Sequence, residues 1–233
     1  MTRHGLADLT SPEFAARADR TKVALIPVGA TEQHGANLGM GIDWRVAAAL
    51  AERVAARVDP FAVVVPALPV GLSGHHMSFP GTLSVSAATF TALCTDIASS
   101  LARHGIRKIV FVNGHRGNES VLGVITTTLT YDAGIEAASA FWMTQASDVI
   151  ADYVTSRRWG HACEIETSLA MALCPDLVRD AALEPHGYTP IFLGATLLYA
   201  GVAVWAWVFP ETRGVGIAAI DESAPVAAQT AGR

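Results

Sequence analysis

Between positions 108 and 118 the chain reads Lys108-Ile109-Val110-Phe111-Val112-Asn113-Gly114-His115-Arg116-Gly117-Asn118. After Lys108 the first half is an unbroken apolar run, Ile109–Val112, the pattern of a strand covered on both faces. The second half holds a histidine between glycines, which let backbone approach a ligand closely, and asparagines able to tie a loop to backbone. Asn113-Gly114 is also a hairpin-turn pair. The residues after it, Asn118–Tyr131, carry helical rather than alternating spacing, so the chain runs strand, polar loop, helix.

The same order repeats on either side. Strand-length runs at Val23–Val28, Phe61–Val65 and Ile135–Trp142 alternate with helix-period stretches at Trp44–Val58 (apolar at 46, 50, 54 and 58), Thr89–His104, Ala146–Ser156 and Glu164–Leu173. Ser86 is placed to cap the second of these and Gly105 to end it; Pro175 stops the last. Repeated βαβ units predict an α/β fold with a mostly parallel sheet covered on both faces. The polar clusters follow the strands, where open α/β sheets bind their ligands. With 233 residues and no repeat or low-complexity linker, residues 1–233 are expected to form a single domain, with 1–20 as an N-terminal arm or short helix and 181–233 as a divergent C-terminal segment.

Composition narrows the function. Hydrophobic residues make up 51% and charged residues 16%, and the mean hydropathy is +0.35, which excludes a disordered chain. Sixteen Lys+Arg against 21 Asp+Glu give a net charge of −5, with Lys22 and Lys108 the only lysines, so nothing recruits nucleic acid. Cys94, Cys163 and Cys174 show no CxxC spacing, which points away from a disulfide framework or thiolate zinc site and towards a reducing cytoplasm. The first 20 residues lack the apolar core of a secretory signal. Residues 191–209 form an uncharged run long enough to span a bilayer. Its glycines and alanines, and the absence of a flanking Lys/Arg cluster, favour a buried segment over a membrane anchor.

Four clusters carry chemistry. Thr31-Glu32-Gln33-His34-Gly35 follows the first strand, with Asp43 at the mouth of the next helix. Oxygen and nitrogen donors of this kind suit Zn, Mn or Fe. Any one of these residues alone reads more simply as a surface loop residue. The second cluster is Asn113 to Asn118. In the third, Gly160 to Ser168, His161, Glu164 and Glu166 bring an imidazole and two carboxylates to a helix start, where acidic residues also serve the helix dipole. The fourth, Gly74-His75-His76-Met77-Ser78-Phe79-Pro80-Gly81-Thr82, pairs two histidines with apolar side chains, and an ordinary surface loop explains it equally well.

Together the clusters resemble the creatininase family of metal-dependent amidohydrolases, whose signatures GxxEQHGxHLPxxTD, NGHGGN and HAGxxETS have counterparts at Gly29–Asp43, Asn113–Asn118 and His161–Ser168. The HHMSFPGT loop also has a counterpart, and the order holds from about residue 22 to about 180. The resemblance implies a three-layer α/β/α sandwich, two divalent metal ions per subunit (Zn, Mn or Fe), and assembly into homo-oligomers, commonly hexamers. Residue by residue it makes Glu32 and His34 ligands of different metals, Asp43 the bridging carboxylate and His115 a further ligand. Creatininases proper place a glutamate where this chain has Gly117. Another carboxylate must complete the second site, with Glu164 chosen and Glu166 the alternative; Glu166 is otherwise assigned a catalytic role. His161 matches the acid/base that protonates the leaving nitrogen. Asn37, Gly39 and Cys163 depart from the family pattern, with Asn37 expected to alter the pocket and leave the metals alone.

The expected activity is hydrolysis of a non-peptide C–N bond in a small-molecule amide, a cyclic amide or formamide, by hydroxide activated between two metals. The alternatives are a family member that trims a modified peptide and a catalytically decayed one that acts in binding or assembly. Trp142, Tyr153 and Trp159 are candidates to wall a flat substrate or to pack in the core.

Overall fold

The computed structural model describes residues 4–155 and 160–179. Strands β1 (Val23–Val28), β2 (Ala62–Val64), β3 (Lys108–Asn113) and β4 (Glu136–Phe141) form one sheet in the order β2-β1-β3-β4, every pairing parallel. The helices are α1 (Ser11–Arg17), α2 (Ile42–Arg57), α3 (Ala87–Arg103), α4 (Glu119–Tyr131), α5 (Trp142–Gln145), α6 (Ser147–Tyr153) and α7 (Glu164–Leu173).

Strand side chains alternate between two cores because successive Cβ atoms leave opposite faces of a strand. Val23, Leu25, Val110 and Val112 pack with Val46, Leu50 and Val54 of α2 and Ile165 and Leu169 of α7. Ala24, Ile26, Val28, Ile109 and Phe111 pack with Phe90, Cys94 and Leu101 of α3 and Leu122, Ile125 and Leu129 of α4. Helices therefore cover both faces, giving a three-layer α/β/α arrangement, and β1 and β3 are buried along their whole length. This double burial is why those strands read as continuous apolar runs.

The expected elements lie within a few residues of those observed. Ser86 caps α3 by accepting the Thr89 N–H. The N-terminal arm contains α1, started by a reciprocal capping box between Thr10 and Glu13 worth about 1 kcal/mol. β4 ends at Phe141, and Trp142 opens α5. Trp159, the apolar run 191–209 and the rest of 181–233 lie outside the described residues. Among the described residues no helix is long and apolar enough to cross a membrane.

The strand order sets the place of the site. From β1 the chain first moves outward to β2, then crosses back to lay β3 on the other side of β1. The carboxyl ends of β1 and β3 thus flank the point where the winding reverses, the crevice where such sheets bind ligands.

Candidate metal centre

Glu32 and His34 extend from the end of β1, His115 from the end of β3, and Asp43 enters from the first turn of α2. Gly114 permits that entry: a Cβ there would stand 2.1 Å from the Asp43 carbonyl oxygen, so a side chain would push α2 away from the sheet. Glu32, His34, Asp43 and His115 are all at most 4% exposed.

Asp43 divides its two oxygens between two imidazoles. Oδ1 lies 3.0 Å from His34 Nε2, and Oδ2 lies 3.1 Å from His115 Nδ1. Glu32 Oε1 stands 3.3 Å from His115 Nδ1 and 3.5 Å from His161 Nδ1. Ligands bonded to one cation at about 2.0–2.2 Å sit roughly 3–3.5 Å from each other, so these separations are those of a coordination sphere. Among the described residues, both Glu32 oxygens, His34 Nε2 and Asp43 Oδ2 are buried without a hydrogen-bond partner. Orphaned buried carboxylate oxygens are costly unless a cation faces them.

The far ring nitrogens support the same fit. His34 Nδ1 meets the Glu32 carbonyl at 3.1 Å and His115 Nε2 meets the Leu72 carbonyl at 3.1 Å. A carbonyl only accepts, so each ring donates N–H there and, in its neutral state, turns its lone pair towards Asp43, the arrangement typical of metal-binding histidines. His161 has the same form: Nε2 donates to the Gln33 carbonyl and Nδ1 faces Glu32. In its neutral state His161 therefore presents a lone pair, not a proton, to the cavity.

The carboxylates call for positive charge. Burial acts to raise the Glu32 pKa, but His115, the Ser73 hydroxyl and His161 outweigh it and bring it down to about 2. Burial acts to lower that of His115, but Asp43 and Glu32 push it up to about 10. Glu166 is pushed up to about 7, first by burial, with His34 opposing and Asp43 adding.

The two candidate carboxylates of α7 part company. Glu166 lines the cavity and forms a ligand grouping with His34 and His161, all three ligand atoms within 4.8 Å of one another. Its Oε2 accepts the Ala162 N–H, aimed by a left-handed Ala162 (φ 51°), a conformation that costs about 1–3 kcal/mol for a residue with a side chain. Glu164, the residue chosen from sequence to complete the second site, instead accepts from the Thr155 hydroxyl at 2.8 Å and from its N–H. It belongs to none of the ligand groupings among the described residues. The two carboxylates diverge for a simple reason: residues two apart on a helix point about 200° from each other.

The glutamate that creatininases proper place at position 117 would not fit here. A Cβ on Gly117 would lie 2.3 Å from His115 Nε2 and 2.5 Å from the Leu72 carbonyl oxygen, on the hydrogen bond that orients His115.

Sequence reading left one contribution unassigned. His75 and His76, on a short 3-10 turn at Gly74–His76, both line the cavity and each groups with Glu32. Their loop is pinned by Asn118, whose Oδ1 accepts the Leu72 N–H at 3.0 Å while its Nδ2 donates to the Gly29 carbonyl at 3.1 Å. The departures elsewhere sit apart: Asn37 donates to Thr167 Oγ1, and Gly39 packs on Leu177. Phe141 and Met143 line the cavity, which encloses about 200 Å³; of the aromatics proposed as a wall, Trp142 is buried in the core and Tyr153 is exposed.

The sequence profile of the creatininase family, described as creatinine amidohydrolase, matches residues 7–228, and the chain belongs to that family of hydrolases. A mycofactocin precursor peptide peptidase of Mycolicibacterium smegmatis is 35% identical over 204 residues, covering 86% of this chain and 72% of the relative. A creatinine amidohydrolase of Pseudomonas putida is 35% identical over 197 residues, covering 74% and 73%. A crystal structure of creatinine amidohydrolase superposes with a TM-score of 0.75 at 28% identity, over 90% of this chain and 99% of that one. A manganese creatininase (TM-score 0.71, 29% identity, 88% and 98% covered) and a mutant creatininase of Zn-Zn type (0.73, 28%, 90% and 100%) superpose similarly.

Proposed function

We propose that this chain is a metal-dependent hydrolase of the C–N bond in a small non-peptide amide, a cyclic amide or formamide of the creatinine kind. The observation that carries the reading is Asp43, whose two oxygens face two different histidines, the placement needed to bridge two cations. In this reading Glu32, Asp43 and His115 hold one divalent ion, and His34, Asp43 and Glu166 the other, with Zn, Mn or Fe suited to the donors. Ions bound there supply a Lewis acid for the carbonyl oxygen and lower the pKa of water.

The protein's own groups manage the proton. His161 Nδ1, its lone pair towards the cavity, accepts the proton of the attacking water and then returns it to the leaving nitrogen, which departs poorly unless protonated. The Gln33 carbonyl holds the ring in orientation throughout. A cavity of about 200 Å³ has the scale of a small heterocycle. A cytoplasmic homo-oligomer, hexameric by family resemblance, belongs to the same reading and is checked by sedimentation.

Peptide trimming is the second reading, favoured by the larger share of this chain that aligns with the mycofactocin precursor peptide peptidase. The test is hydrolysis by Mn- or Zn-loaded protein of creatinine, formamides and short peptides. Turnover of a small amide supports the first reading, and cleavage of peptides alone replaces it with the second. Failure to bind metal leaves the decayed binding or assembly protein.

A further inference from the structure

We infer that Gln33 fixes His76 and His161 in the same Nε2–H tautomer but turns opposite nitrogens of the two rings to the cavity, which makes His76 a further catalytic group, presenting Nε2–H to the oxygen of the scissile amide. The inference rests on the hydrolase reading and adds a residue to it.

The chain of hydrogen bonds begins outside the cavity. The Gly35 N–H donates to Gln33 Oε1 at 3.1 Å, and a backbone N–H can only donate, so the side-chain amide is fixed with its NH2 on the other side. That NH2 faces His76 Nδ1 at 3.3 Å. Nδ1 must therefore accept, and a ring accepting at Nδ1 is neutral and carries its proton on Nε2.

Nε2–H points into the cavity. Among the described residues the nearest carboxylate oxygen, Glu32 Oε1, is 3.9 Å away, beyond hydrogen-bond reach, and no acceptor there takes up the donor. The ring is held at its faces and edge, with His161 at 4.5 Å and an interplanar angle of 28°, and with Phe79 at 5.9 Å.

The main chain of Gln33 does the reverse to His161. Its carbonyl takes the Nε2 proton and leaves Nδ1 as the cavity-facing lone pair. One residue thus prepares an acceptor and a donor on adjoining stacked rings. The acceptor suits the attacking water, and the donor suits the oxygen on which negative charge builds as the carbonyl becomes tetrahedral. His34 and His115 turn lone pairs inward through backbone carbonyls; His76 is bonded instead to a donor, which separates it from the ligands.

The test reads the tautomers directly. Nitrogen NMR of 15N-histidine protein, metal-free and zinc-loaded, should show His76 protonated at Nε2 and His161 with its proton on Nε2 against the Gln33 carbonyl. In Gln33→Leu the His76 tautomers should mix while His161 stays as it is, because the carbonyl remains. Orthophosphate serves as a tetrahedral oxyanion probe on the zinc-loaded protein. His76→Ala should bind it about 10- to 100-fold more weakly, the scale of one hydrogen bond to a charged acceptor, with zinc content unchanged. His76→Gln, which keeps an N–H donor, should recover part of the loss. A His76 ring protonated at Nδ1, a His76 nitrogen coordinated to zinc, or unchanged phosphate binding in His76→Ala overturns the inference. Failure of the wild-type chain to take up zinc overturns the hydrolase reading instead, a separate and recognisable result.

Discussion

Asp43 Oδ1 lies 3.0 Å from His34 Nε2 inside the protein, although Asp43 belongs to the first turn of a helix and His34 to the loop that follows a strand. With Oδ2 turned to His115, one carboxylate joins the two halves of the centre.

Replacing Asp43 with Asn should therefore disturb both ions, since an amide offers neither the charge nor two equivalent oxygens. Elemental analysis of purified Asp43→Asn is expected to show both metals lost or removed by mild chelation. Two tightly retained ions would remove the bridging assignment.

Glu164 and Glu166 should separate cleanly. Glu166→Gln is expected to weaken the ion on the His34 side, measured as unequal release of the two metals to a chelator. Glu164→Gln should leave both affinities near wild type, because its carboxylate serves Thr155.

Gly117→Ala tests the reason no glutamate stands at that position. The added methyl group meets His115 and the Leu72 carbonyl, and overpacking of this kind costs about 1–3 kcal/mol. Urea unfolding should show that loss, and metal affinity should fall with it because the His115–Leu72 bond is displaced. A variant as stable as wild type would mean that the loop yields freely.

Removal of metal should make stability depend on pH in three windows. Glu32, depressed to about 2, contributes stability that is present above its ordinary 4.5 and is lost as pH falls through 2. Glu166, raised to about 7, contributes below 4.5 and loses that contribution as pH rises through 7. His115, raised to about 10, contributes fully below 6.5 and loses its contribution as pH rises through 10. Urea midpoints of chelator-treated protein should decline on both limbs. Glu166→Gln should flatten the segment between 4.5 and 7, and an unflattened profile would show that the carboxyl titrates normally.

His161→Ala should retain both metals and lose roughly 10²–10⁴ in kcat with a smaller change in KM, the scale of general acid–base assistance. Loss of an ion would make Nδ1 a ligand, in keeping with its resemblance to His34 and His115. Full activity would leave it a loop residue only.

Much of this protein is legible along the chain because its physics is local. A strand covered on both faces must be apolar at successive positions, so β1 and β3 announce themselves, and the reversal between them places Glu32, His34 and His115 at one crevice. Other features depend on contacts that spacing does not encode. The rotation of α7 is set by burying Ile165, Leu169 and Ala170, and that rotation alone sends Glu166 inward and Glu164 to Thr155. His75 and His76 reach the centre because Asn118 and His115 grip Leu72, more than 40 residues earlier. Sequence by itself determined which side chains were available and at which strand ends they would lie. Only the tertiary structure decided which ring nitrogen of each histidine carries the proton, because that depends on whether the group packed against the other nitrogen is a carbonyl, which accepts, or an amide N–H, which donates.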